Sequence, residues 1–89
     1  MRSHTTAEFR ELLGKVPLAV RAKADAAYRL WAVDPSHPSL RYKKVHQTLP
    51  IYSVRINLDW RAAGVVRDGE MIWFWIGPHK DYESLLDQL

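Results

Sequence analysis

Six consecutive apolar residues, "MIWFWI" at 71–76, constrain the fold of this chain more than any other feature. Asp68-Gly69 precedes them as a two-residue hairpin turn and Gly77-Pro78 ends them, so the run is predicted to be a strand. Because successive side chains of a strand point to opposite faces, both faces of this strand are apolar. We therefore expect either its even-numbered or its odd-numbered side chains to pack on helices, while the other set needs a different cover.

Either of two elements could cover that second face of the strand. Residues 81–89 predict a short terminal helix with Leu85, Leu86 and Leu89 on one side. A partner protein laid across the sheet is the alternative, because three large side chains exceed what one short helix usually hides. On that second view, a partner peptide buries Trp73 and Trp75, or the face opposite them.

The first part of the chain has helical periodicity. "TTAE" at 5–8 has the spacing of a capping box, in which the Thr5 hydroxyl and the Glu8 carboxylate each accept a bond from the other's backbone N–H. It predicts a first helix that begins near Thr6. Pro17 separates this helix from a second apolar stripe, which ends before Pro35. Two antiparallel helices joined by a short turn are expected.

After "DPSHPSL" the apolar period changes to two, which is typical of strands. In "IYSVRINL", Ser53 and Arg55 fall on the polar face. Strands at 51–57, 60–67 and 70–76 predict an antiparallel meander, and "LRYKKVH" predicts a fourth strand. The expected fold class is α+β: one domain, 1–89, with an N-terminal helical hairpin packed on a twisted three- to four-stranded antiparallel sheet and a short C-terminal helix.

Composition excludes several classes of protein. The absence of cysteine rules out disulfides and thiolate metal sites, and the four histidines lack metal-ligand spacing, so neither a metal nor another cofactor is expected. The apolar runs are too short to cross a bilayer, and the N-terminus lacks the apolar core of a signal peptide. We expect a cytoplasmic protein that does not associate with membranes.

Charge is distributed unevenly along the chain. Residues 35–67 carry six basic side chains and one acidic one, whereas residues 68–89 carry one basic and five acidic ones. A basic middle suits a phosphate-rich partner such as nucleic acid. It also suits a solvated sheet edge protected by lysines, and charge alone leaves both interpretations open.

The segments "HPSLRYKKV", "YSVRINLDWRAAGVV" and "MIWFWIGPHKDYESLL", following two helices, carry a family resemblance. Their most telling parts are the strand with Arg55, the Trp60-Arg61 pair, and a final apolar strand that leads into Gly77, His79 and Tyr82. In this order they resemble the RelE/ParE superfamily of bacterial toxin-antitoxin toxins over nearly the whole chain. The resemblance implies the α+β fold above and a cognate antitoxin that wraps the toxin and blocks it.

The RelE branch of this superfamily cuts messenger RNA in the ribosomal A site without a metal ion. The resemblance therefore implies that Arg61 binds the phosphate through its planar fork, and that Arg55 is a second cationic contact. It implies that His79 acts as acid or base and that Tyr82 stacks on a base or orients the phosphate. The expected product carries a 2′,3′-cyclic phosphate.

Three lysines complete the implied RNA-binding set: Lys43, Lys44 and Lys80.

One departure from the family pattern lies two residues before Arg55. The best-known RelE-type enzymes have a lysine there, whereas this chain has Ser53, which removes a candidate base.

Structural roles are the alternative for each implied site residue. Both arginines could be cross-strand ion-pair partners of Asp59 or Asp68. His79 could be a turn residue, and Tyr82 could anchor the terminal helix by its ring.

Two other functions are compatible with the resemblance. The ParE branch inhibits DNA gyrase by binding it and needs no nuclease site. A degenerate toxin that serves only as an antitoxin-binding corepressor is the third possibility. We rank ribosome-dependent cleavage of mRNA first, gyrase inhibition second and the corepressor third.

Overall fold

A computed structural model describes all 89 residues and confirms the α+β class, with the helical hairpin, the sheet and the C-terminal helix. None of its helices is both long enough and apolar enough to cross a bilayer. The elements are, in chain order, β1 (Ser3–Thr5), α1 (Ala7–Gly14), α2 (Leu18–Val33), a 3-10 helix (Pro38–Leu40), β2 (Lys43–Lys44), β3 (Ile51–Arg55), β4 (Trp60–Arg67), β5 (Glu70–Pro78) and α3 (His79–Gln88).

The sheet has five strands in the order β1-β5-β4-β3-β2. The predicted meander of β3, β4 and β5 is present, and the fourth predicted strand shrinks to the two residues of β2. β1 adds a fifth strand, parallel to β5. The sequence did not predict β1 because "SHT" has no apolar alternation. Backbone bonds to β5 hold it in place, together with a contact of 2.6 Å between His4 Nε2 and Glu70 Oε2.

The predicted capping box of the first helix is wrong by one residue. Thr6 is the N-cap, and its hydroxyl accepts a bond of 3.0 Å from the backbone N–H of Phe9. Thr5 belongs to β1 instead, where it pairs with Trp73. The Thr5 carbonyl and hydroxyl both accept bonds from Arg10, so they are not available to cap α1.

A β-bulge in β5 overturns the simple alternation expected for the apolar run. Trp73 pairs with Gly64 and Trp75 pairs with Ala63, which leaves Phe74 as an extra residue without a partner. The alternation therefore changes phase at Phe74. Met71, Trp73 and Ile76 belong to the core under the helical hairpin, so neither the odd-numbered nor the even-numbered set of side chains faces the helices as a whole.

The main core lies between the helical hairpin and the sheet. Trp31 of α2 meets Trp73 of β5 edge-on, with ring centroids 5.1 Å apart, and both rings are buried. Trp73 therefore needs no partner protein to cover it. On the opposite face of the sheet, α3 supplies part of the predicted cover through Tyr82, whose ring centroid lies 6.3 Å from that of Trp75.

Candidate functional site

The two arginines singled out from the sequence lie side by side on the sheet face opposite the helical hairpin. We call this the site face. Arg55 and Arg61 are direct cross-strand partners of β3 and β4, so their side chains leave the sheet on the same side. Neither forms an ion pair with Asp59 or Asp68, because both ion pairs of the structure involve Glu70. The two arginines are thus adjacent cations without a carboxylate partner.

Backbone carbonyls orient the guanidinium of Arg61. Its Nη1 donates to the carbonyl of Asn57 at 2.7 Å and to the carbonyl of Trp60 at 3.0 Å, with a longer bond of 3.3 Å to that of Leu58. These bonds tie the side chain to the β3–β4 loop. Because all three use Nη1, the Nη2 and Nε donors remain for a ligand, and this edge of a guanidinium matches two oxygens of one phosphate.

The environment of Arg61 disfavours its positive charge. Burial lowers the pKa of Arg61 from its usual value, the nearby charge of Arg55 lowers it further, and Arg41 adds to this effect, while Tyr82 and Asp59 oppose it. An arginine keeps its charge at neutral pH despite such a shift. An anion bound at the site face would relieve the repulsion among these arginines, so the site is electrostatically suited to a phosphate.

Arg41 lies near the site but belongs to none of the sequence motifs that indicate it. It follows the 3-10 helix in a left-handed backbone conformation, with φ 45° and ψ 40°. This conformation is uncommon for a residue with a side chain. Arg41 lies fourteen positions before Arg55 in the sequence, so no local pattern could have connected them. Only the fold brings its charge close to Arg61.

Tyr82 joins α3 to the sheet. Its side chain is 8% exposed, and its hydroxyl donates a bond of 2.8 Å to the hydroxyl of Ser53. The ring also stacks with His79, at a centroid distance of 6.0 Å and an interplanar angle of 25°. Tyr82 therefore has the anchoring contacts proposed as its structural alternative, and it also positions the ring of His79.

His79 is the first residue of α3, and its side chain is exposed. Its backbone N–H donates a bond of 2.6 Å to the carbonyl of Asp59, which fixes the start of α3 beside the β3–β4 loop. Two residues earlier, Gly77 pairs with Arg61 across the strands. The indole of Trp75 fills the space above Gly77, since a Cβ there would lie 2.5 Å from Trp75 Cζ2. His79 thus emerges at the end of the site face, next to the arginine pair.

The three lysines differ in their positions. Lys43 pairs with Ser53, so it projects from the site face. Lys44 pairs with Tyr52 on the helical side, and its Nζ donates to the carbonyls of His46 and Gln47. Lys80 is exposed on α3. Lys43 is therefore the lysine that the strands bring to the arginines, whereas Lys44 is bonded within its own loop.

The donor types at the site face suit phosphate binding and proton transfer. They are guanidinium, imidazole and phenol groups, which bind anions or exchange protons. No three His, Cys, Asp or Glu side chains of the structure are grouped in a way that could hold a metal ion.

We expect the bond between Tyr82 and Ser53 to stabilise the fold measurably. Tyr82→Phe and Ser53→Ala should each lower the free energy of unfolding by about 1–2 kcal/mol, because each leaves a buried hydroxyl or cavity behind. The double variant should cost little more than either single one, since both remove the same bond. Urea unfolding measures these changes. Tyr28→Phe is the control, because its bond to Ser3 is exposed and its loss should cost less than about 0.5 kcal/mol. Additive losses in the double variant would contradict the coupling.

Comparisons with known proteins agree with this architecture. A family model described as the ParE-like toxin domain matches residues 18–84. A chain of the RelB-RelE antitoxin-toxin complex from Methanococcus jannaschii superposes with a TM-score of 0.72 and 17% sequence identity, covering 91% of this chain and 95% of that one. YafQ from E. coli superposes with a TM-score of 0.74 and 10% identity, covering 92% and 98% respectively. Identities this low show a shared fold alone. No curated protein sequence matches the chain significantly.

Proposed function

Because the chain belongs to the ParE-like toxin domain family, and so to the RelE/ParE superfamily of toxin-antitoxin toxins, we propose that it is a ribosome-dependent endoribonuclease that cuts mRNA. The observation that carries this proposal is the arginine pair. Arg55 and Arg61 are adjacent on one sheet face, have no carboxylate partner and lie beside the exposed His79. A surface used only to bind another protein does not require two unpaired cations next to a titratable side chain.

In the proposed reaction the RNA 2′-hydroxyl attacks the adjacent phosphorus in line and displaces the 5′-oxygen. Arg61 binds the non-bridging oxygens through Nη2 and Nε, and Arg55 supplies the second positive charge as negative charge develops there. His79 donates a proton to the leaving 5′-oxygen. Water takes the proton of the 2′-hydroxyl, because Ser53 supplies no base at the position where the best-known RelE-type enzymes have a lysine. The products are a 2′,3′-cyclic phosphate and a 5′-hydroxyl.

Under this proposal the partner that restrains the toxin is a cognate antitoxin. The matched structures support it, since the Methanococcus jannaschii structure is that of an antitoxin-toxin complex. An acidic or amphipathic antitoxin segment would be attracted to the same unpaired arginines that bind RNA. Inhibition and catalysis would then compete for one surface.

Inhibition of DNA gyrase is the second candidate function, and one observation favours it. The family model that matches this chain is named for ParE. Resemblance to the ParE branch implies binding to gyrase rather than to RNA. Such an inhibitor acts through a protein surface, and it needs neither a proton donor nor a bound phosphate.

One pair of assays separates the two candidates. The purified protein is added to ribosomes that carry a defined mRNA, and primer extension locates any cuts. In parallel, supercoiling by purified gyrase is measured. We expect ribosome-dependent cuts that end in a 2′,3′-cyclic phosphate, that persist with chelators of transition metals, and that occur without an effect on supercoiling. Blocked supercoiling with intact mRNA would instead support gyrase as the target.

A further inference from the structure

A cavity lies next to Arg55, between α2, the 3-10 helix and the end of β3. Its volume is about 240 Å³. The buried part of its lining is apolar and includes Leu40, which is 1% exposed. The exposed part includes Lys23 and Ser39, and Arg55 borders it as well. We call this cavity the α2 cleft.

The charge of the α2 cleft has one sign. Its only ionisable lining residues are Lys23 and Arg55, no carboxylate lines it, and neither cation is held in an ion pair. Ser39 adds a hydroxyl, which lies 2.8 Å from Nδ1 of His37. An apolar floor beneath two cations complements a ligand that has a flat apolar part and an anionic part.

Arg55 connects the α2 cleft to the site face. Arg55 is the last residue of β3, beyond the two residues that pair with β2, so it lies at an open edge of the sheet. From this edge it borders the cleft and is also the cross-strand partner of Arg61 on the site face. A ligand that occupies the cleft would therefore have its anionic group within reach of the residue that we place beside the scissile phosphate. This continuity points to the same RNA strand rather than to an unrelated small molecule.

We propose that the α2 cleft binds the nucleotide next to the scissile phosphodiester, with its phosphate between Lys23 and Arg55 and its base on the apolar floor. The inference rests on the proposed nuclease function and adds a subsite to it. The cleft is smaller than the cavities of about 300–1,000 Å³ that hold drug-sized ligands, so one nucleobase is the fitting occupant. The small side chains of Ala26 and Ala27 let a base approach α2 closely.

The test measures RNA binding apart from cleavage. The probe is a fluorescein-labelled hexanucleotide with 2′-O-methyl groups throughout, which cannot be cut because no 2′-hydroxyl can attack. Its dissociation constant is measured by fluorescence anisotropy over a series of salt concentrations. Three variants of exposed α2 residues are compared: Lys23→Ala, Ala26→Leu and, as a control of equal charge outside the cleft, Arg29→Ala.

Lys23→Ala should weaken binding roughly fivefold to tenfold and reduce the slope of log affinity against log salt by about 0.7, the value for one lost phosphate contact on a single strand. Ala26→Leu should weaken binding about tenfold with an unchanged slope, because it fills the space of the base without removing charge. Arg29→Ala should leave the affinity within about twofold. A further set of probes lacks the base at one position each. The probe that lacks the base bound in the cleft should bind weakly to the wild-type protein, and its affinity should not change in Ala26→Leu.

Each outcome has a distinct meaning. Unchanged RNA affinity in both cleft variants, an equal loss in Arg29→Ala, or no binding of the probe by the wild-type protein would overturn the subsite. Loss of antitoxin binding in the cleft variants with RNA affinity intact would overturn it in favour of a protein ligand. Binding that depends on Lys23, without any cleavage on ribosomes, would uphold the α2 cleft as an RNA-binding site and overturn the nuclease, and with it the place of the cleft beside a scissile phosphodiester. If the wild-type protein cleaves mRNA on ribosomes but the cleft variants bind the RNA probe normally, the nuclease is upheld and the subsite is overturned.

Discussion

Arg61→Ala is expected to lower the rate of mRNA cleavage on programmed ribosomes by about 100-fold or more. Loss of one donor that stabilises developing charge typically has an effect of this order. The effect should fall on the chemical step, because the Nη2 and Nε donors contact the phosphoryl oxygens most strongly in the transition state. Single-turnover cleavage at saturating protein, followed by primer extension, measures it directly.

Two further variants make the result specific. Arg61→Lys should recover only part of the rate, because lysine keeps the charge and loses the planar fork. Arg67→Ala, an exposed arginine of the same strand, should cleave normally. Arg61 also holds the β3–β4 loop through Nη1, so urea unfolding of each variant is needed. Full cleavage by Arg61→Ala, or a loss that matches unfolding alone, would remove Arg61 from the proposed mechanism.

The fold was predictable where local chemistry determines it. The helices and the three long strands follow from apolar periodicity, and β4 has the predicted bounds of 60–67. β1 could not be predicted, because its three polar residues form a strand only by pairing with β5. The bulge at Phe74 leaves no local mark in an all-apolar run. The bulge is visible only in the pairing of β5 with β4, where the register shifts between Ala63 and Gly64.

The residues of the site also divide into those that the local sequence predicts and those that only the fold brings together. Period-two alternation and hairpin register were enough to expect Arg55 on the polar face, and the fold then sets it opposite Arg61. The anchoring of Tyr82 on Ser53 joins residues twenty-nine positions apart, so only the packing of α3 on the sheet reveals it. The same holds for Arg41, whose left-handed backbone at the end of the 3-10 helix has no motif in the sequence.

His79→Ala is expected to slow cleavage of an ordinary phosphodiester by about 100-fold or more, the usual contribution of a positioned proton donor. The leaving 5′-oxygen would then depart as an alkoxide, which is a strong base and a poor leaving group. A substrate with sulfur in place of that bridging 5′-oxygen does not need the donor, because a thiolate is a much weaker base. We therefore expect His79→Ala to cut the sulfur-bridged mRNA at nearly the wild-type rate.

The sulfur-bridged substrate also distinguishes His79 from Arg61. Arg61→Ala should stay slow on both substrates, because negative charge develops on the non-bridging oxygens whichever atom leaves. Lys80→Ala is the matched control, being the next exposed residue of α3, and it should cut both substrates without the selective loss. The backbone bond from residue 79 to Asp59 survives the change to alanine, so α3 should keep its position. If His79→Ala were equally slow on both substrates, His79 would contribute to binding or positioning, and the proton donor would have to be another group.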